Sequence, residues 1–81
     1  MAKNRRKKTR TRTQLNKLIG RQIREERLRQ GVTLRALSGS AGFTISQLSQ
    51  VELGKNAASI WALVRIADCL GVHVSTFLSD V

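Results

Sequence analysis

The chain contains no proline, one cysteine and only three aromatic side chains in 81 residues. Without proline, glycine and the polar caps carry all the punctuation between elements. A lone Cys69 cannot close an internal disulfide, and the chain opens with no apolar leader-like segment, so an intracellular, reduced protein is the simplest expectation. No run of about 18 apolar residues is present, which excludes a membrane-spanning helix. Acids are scarce too: five against 15 lysines and arginines, a formal charge of +10. That imbalance points to a polyanionic partner. No paired carboxylates, no Ser/His or Cys/His constellation and no phosphate-cradling glycine loop occur, and the chain is too short to wall off a pocket, so an enzyme is not expected. His73 has no second histidine and only Cys69 to help it hold a metal, so neither a metal nor a cofactor is expected; Cys69 reads as a small hydrophobe and His73 as a cap or an exposed side chain.

What is present is unevenly spread. In KNRRKKTRTR the cations Lys3, Arg5, Arg6, Lys7, Lys8, Arg10 and Arg12 stand without an acid or an apolar side chain. Such a block repels itself and buries nothing, which predicts a disordered basic arm over residues 1–12. Residues 13–81 carry eight basic and five acidic side chains, a net +3 that suits one folded domain. A chain of this length can bury roughly 60–65% of its unfolded surface in a single small core.

Helical periodicity fills the domain, and no alternating run remains for a paired strand. Leu15, Ile19 and Ile23 predict a first helix over about 14–30, capped by Thr13 and ended near Gly31. Thr33 opens a second with Leu34, Leu37 and Ala41, ended by Gly42. Thr44 and Gln47 read as a capping box for a third, in which Leu48 and Val51 point inward and Gly54 closes. Ser59 caps a fourth with Ile60, Leu63, Val64, Ala67 and Leu70 on one stripe and Gly71 at its end, and Val74, Phe77 and Leu78 predict a short fifth. The expected fold class is all-α, a five-helix bundle. Two short helices around Gly42 have the spacing of a helix-turn-helix, with the first bracing and the second presenting its outer face.

The segments IGRQIREERLRQGVTL, SAGFTISQLSQVELGK and SIWALVRIADCLGV, over about residues 18–78, resemble the phage repressor and Cro-like helix-turn-helix family, also called XRE. The resemblance implies a lambda-repressor-like bundle whose third helix enters the major groove of double-stranded DNA. It assigns base reading to Ile45, Ser46, Gln47, Ser49 and Gln50, with Ser46 and Gln50 foremost; glutamine can bond adenine N6 and N7, and isoleucine can pack on a thymine methyl. Phosphate contacts fall to Thr33, Thr44, Lys55 and Asn56. Arg27 and Glu52 match a structural ion pair joining the first helix to the end of the third. Leu34 stands where many relatives have glutamine, Ser38 where alanine is common, Gly39 inside a helix, and Ala58 where proline is frequent.

The arm, placed beside such a domain, is expected on phosphates or in the minor groove. Trp61 projects with Arg65 and Asp68 away from the fourth helix's stripe, either as a contact surface or folded over Leu53 or the arm; Phe77, Leu78 and Val81 offer a dimer seam. The expected function is a sequence-specific transcriptional regulator of prokaryotic or phage type, a repressor, binding an operator as a homodimer in the cytoplasm, at the nucleoid. RNA polymerase or another protein is a further partner class. Two alternatives stay open: an antitoxin-type module that also grips a protein, and a weakly specific architectural DNA-binding protein. A membrane-surface role is not expected, because the arm has no apolar face.

Overall fold

The computed structural model describes residues 10–81. The order is α1 (Arg12–Arg29), α2 (Leu34–Ala41), α3 (Ile45–Glu52), α4 (Ile60–Leu70) and a terminal 3-10 helix (Val74–Leu78). The expected fifth helix is therefore a single tight turn. Its five residues close i to i−3 bonds such as Thr76 N–H to the His73 carbonyl (2.9 Å), and His73 Nδ1 caps it by accepting from Ser75 N–H (3.1 Å). Lys3, Arg5, Arg6, Lys7 and Lys8, expected to form the arm, lie outside the described residues.

Hydroxyl caps start all four α-helices. Thr33, Thr44 and Ser59 do so where the sequence predicts, each side chain accepting from the N–H three residues on. The first helix begins earlier than expected: Thr11, not Thr13, is the cap, because Gln14 reaches back to the Thr11 N–H (2.8 Å) while Thr11 accepts from Gln14 N–H (3.1 Å). Arg12 is consequently the first residue of α1, and Arg10, just outside, donates to the Asp80 carbonyl (2.7 Å).

The core comprises Ile23 from α1, Leu37 and Ala41 from α2, Leu48 from α3, Leu63, Ile66, Ala67 and Leu70 from α4, and Phe77. Two corrections follow. Ile66, not Ile60 or Val64, completes the buried stripe of α4: Ile60, at the first position of the helix, overhangs the bundle and is 72% exposed, and Val64 lies at its edge. Phe77 is fully buried, because the 3-10 turn drops its ring between α1 and α4, and it cannot serve a dimer seam; Leu78 is half-buried and Val81 exposed.

Candidate nucleic-acid interface

The turn between α2 and α3 is built from Gly42 and Phe43. Gly42 is left-handed (φ 82°), and its N–H bonds the Ser38 carbonyl (3.0 Å), ending α2 as the sequence requires. The Ser38 hydroxyl donates to the Phe43 carbonyl, and the Arg65 guanidinium donates to that of Ala41 (3.1 Å). Ser38, where alanine is common, thus ties the turn, and Arg65 locks it to α4.

The far end of α3 is fixed still more closely. Gly20 lies against the last turn of α3, where a Cβ would sit 2.3 Å from the Val51 carbonyl oxygen, and a Cβ on Gly54 would meet the Lys17 Cα at 2.8 Å. Beside this backbone-on-backbone contact, Arg27 Nε and Nη2 bond the two Glu52 carboxylate oxygens (2.7 and 2.9 Å), and Nη1 bonds the Val32 carbonyl (2.8 Å). Both side chains are buried, and each of the three guanidinium nitrogens has an acceptor. The hydrogen bond to Glu52 holds the Arg27 pKa above its ordinary value. At the end of α1, Gln30 donates to Glu26 and to the Leu70 carbonyl (both 2.7 Å); its bond, against the opposing effect of burial and with help from Arg29, holds the Glu26 carboxyl below the usual range.

This scaffold leaves one side of α3 facing solvent. Ile45 and Ser46 are exposed, and Ser49 and Gln50 are half-buried at its margins. Gln47 is exposed as well, but its side-chain oxygen accepts from Thr44 N–H (2.8 Å) as the return half of the capping box. Its amide oxygen is thus engaged locally, while the amide NH2 group remains a donor on the exposed face. Lys55 and Asn56 present exposed side chains while their N–H groups bond the Gln50 carbonyl (2.9 and 3.4 Å), so the loop is an extension of α3. Thr33 and Thr44 hold the N-termini of α2 and α3, whose first-turn N–H groups suit anions. Leu34 is half-buried against the core.

The sequence reading missed other cations. Arg35 is exposed in the first turn of α2, beside Thr33. Lys17 and Arg21, likewise unassigned in the sequence, join the already named Arg10, with Gln14 and Leu18, in lining a shallow basic groove of about 320 Å³ along α1. Their four- and three-residue spacing was the available signal. Among the described residues no three His, Cys, Asp or Glu side chains converge as metal ligands would, and no helix is long and apolar enough to cross a membrane.

A family model described as a helix-turn-helix domain matches residues 18–76. The chain belongs to the helix-turn-helix family. Within it the domain is of the repressor and Cro-like (XRE) type. An uncharacterised HTH-type transcriptional regulator of Sinorhizobium fredii is 36% identical over 63 residues, 78% of this chain and 44% of that protein; the chain thus spans less than half of that relative. The clp gene regulator ClgR of Corynebacterium glutamicum is similar in structure at 30% identity, with a TM-score of 0.79 over 82% of this chain and 70% of ClgR. SinR, solved in complex with DNA, is 34% identical with a TM-score of 0.70, over 74% of this chain and 97% of SinR.

Proposed function

We propose that this helix-turn-helix protein is a sequence-specific regulator of transcription that occupies double-stranded DNA as a homodimer, reads bases with α3 in the major groove, and represses the promoter it covers. The observation that carries this reading is the polar, solvent-facing side of α3, held rigid by the Arg27–Glu52 fork at one end and the Ser38-tied turn at the other. Ser46 and Gln50 offer the donor and acceptor groups that read base edges, and Ile45 offers a surface for a thymine methyl. Thr33, Arg35, Thr44, Lys55 and Asn56 surround them as phosphate contacts, which set register rather than sequence. The basic stretch from Lys3 to Arg12 adds long-range attraction to phosphates.

Selection of bound duplexes from a random DNA pool, followed by salt titration on the enriched and scrambled sequences, tests the reading. An inverted repeat with half-sites about one helical turn apart, bound far more tightly than scrambled DNA, is expected. No enriched motif and one steep salt dependence on every duplex would refute sequence-specific regulation and leave phosphate attraction alone.

A further inference from the structure

The ring of Trp61 on α4 meets Phe43 edge to face, with centroids 5.8 Å apart. The cations gather elsewhere, along the first turns of α1. Lys17 and Arg21 are exposed one helical turn apart and line the basic groove with Arg10 and Gln14. Among the described residues the ion pairs are Arg27–Glu52 and Arg29–Glu26, so none of these three cations is neutralised by one. Asp80 reaches this side of the molecule, yet its carboxylate accepts from the neutral Gln22 amide (2.7 Å) and its carbonyl takes Arg10 (2.7 Å). Gln14, whose oxygen is engaged at the Thr11 N–H, keeps its NH2 group as a further donor.

The segment is helical and held in place. The Thr11–Gln14 capping box starts α1 at Arg12, so residues 12–17 extend the helix ahead of the stretch matched by the family model, 18–76. Arg10, Gln14 and Lys17 all precede that stretch. A Cβ on Gly54 would lie 2.6 Å from Lys17 Cγ, so the Lys17 stem rests on the residue immediately before Lys55. A stem held in that way leaves its ammonium less freedom to lose on binding.

Resting on the DNA-binding reading above, we propose that the first turns of α1 are a second phosphate-binding element, in which Lys17 and Arg21, with Arg10 at the margin, hold the backbone of the duplex flanking the segment that α3 reads. Continuity selects the occupant. Lys55 stands on the α3 side of the Lys17–Gly54 contact and Lys17 on the α1 side, so a strand held by Lys55 meets Lys17 next. Cations one turn apart along a rigid helix suit a partner whose charges also repeat along a line, as phosphodiesters do. The groove is shallow and its cations are exposed, which fits a strand passing over it and not an enclosed small anion. Contacts of this kind carry no sequence information; they seat the domain and lengthen its footprint.

Binding of the full chain to duplex DNA from about 50 to 200 mM salt tests this, with Lys17→Gln/Arg21→Gln as the variant, since glutamine removes the charge and keeps a stem on Gly54. Two lost phosphate contacts should flatten the salt slope by about 1.8, so the variant should lose about 12-fold less affinity than wild type across that range. The motif selected from a random pool should not change. Trimming the duplex to the bases of that motif should erase the difference between wild type and variant, and neutral methylphosphonates placed singly in the flank should weaken the wild type alone. An unchanged slope overturns the proposal. So does a variant weakened equally on trimmed and flanked duplexes, which would register net charge only, or a slope lost in the charge-conserving Lys17→Arg/Arg21→Lys pair, which would register structure. Poly-glutamate that binds as tightly as duplex, with the same loss in the variant, overturns DNA as the occupant in favour of an acidic polypeptide. Mixed-sequence duplex separates the two readings: a flattened slope there without any selected motif sinks the sequence-specific regulator alone, and a selected motif with a wild-type slope in the variant sinks the α1 element alone.

Discussion

Substituting Gly20 by alanine sets two opposing effects against each other. In the middle of an exposed helix the change would stabilise by about 1 kcal/mol, the difference in helix propensity. Here the new Cβ would lie 2.3 Å from the Val51 carbonyl oxygen and 2.6 Å from that of Glu52, where contacts of 3.0–3.4 Å are already tight. Relief requires α3 to retreat by 0.7–1.1 Å, the difference between those limits and 2.3 Å. The obstacle is backbone, which has no rotamer to change. A retreat of that size would carry the Arg27–Glu52 bonds, now 2.7 and 2.9 Å, to the edge of hydrogen-bonding range. Overpacking costs about 1–3 kcal/mol, and part of the roughly 3–5 kcal/mol that accompanies breaking a buried pair is added to it. After subtracting the propensity gain, a net destabilisation of about 2–4 kcal/mol is expected, or a fall of more than about 10 °C in Tm for a domain this size. Thermal unfolding followed by circular dichroism measures it. Gly39→Ala is the internal control: nothing lies within 4 Å of its Cβ, so the same substitution should raise stability by up to about 1 kcal/mol. A Gly20→Ala protein as stable as wild type would refute the close-approach reasoning.

Arg27→Ala strands the buried Glu52 carboxylate and should cost about 3–5 kcal/mol in urea unfolding, whereas a change below about 1 kcal/mol would mean the carboxylate finds water. The depressed pKa of Glu26 makes its contribution to stability full above the unfolded carboxylate value near 4.3 and lost as pH falls through the lower folded value. Glu26→Gln should therefore flatten the acid limb of the stability profile, and an unchanged limb would assign that loss elsewhere. On the selected operator, Gln50→Ala should cost about 1–3 kcal/mol and relax preference at one base position. Lys55→Ala should weaken all duplexes alike and reduce the salt slope by about one, and identical losses for both variants on every sequence would undo the division of roles.

Much of this architecture is legible in the residues because local signals agree. Thr33, Thr44 and Ser59 mark helix starts by side-chain chemistry that needs no tertiary context, and Gly31, Gly42, Gly54 and Gly71 stop helices by adopting positive φ. Thr13 misled because TRTRT repeats the same cap candidate; only the three-residue spacing from Thr11 to Gln14 separates them. The same rule, applied to Thr44, places the Gln47 side-chain oxygen in the capping box, as observed. Periodicity ranks faces but not depth, which is why Ile60 read as core: a first-turn residue belongs to the stripe yet lies beyond the elements that would cover it. The burial of Phe77 depends on where a five-residue turn lands against α1 and α4, and nothing local records that. Nor could the two close approaches at Gly20 and Gly54 be read, since each pairs residues more than thirty positions apart.

Those approaches also bear on the thermodynamics of recognition. A two-turn helix is far too short to hold its shape in water, and an isolated α3 would have to be ordered at the moment of binding. With its last turn resting on the backbone of α1 and the turn that leads into it tied through Ser38, that ordering entropy is spent during folding and not charged again on contact with a ligand. Association through α3 should then show a modest heat-capacity change, set by the surface covered and free of the larger increment that coupled folding brings. Loosening the α1–α3 contact would convert a rigid-body encounter into one that must fold as it binds, and affinity would fall even with every contacting side chain intact.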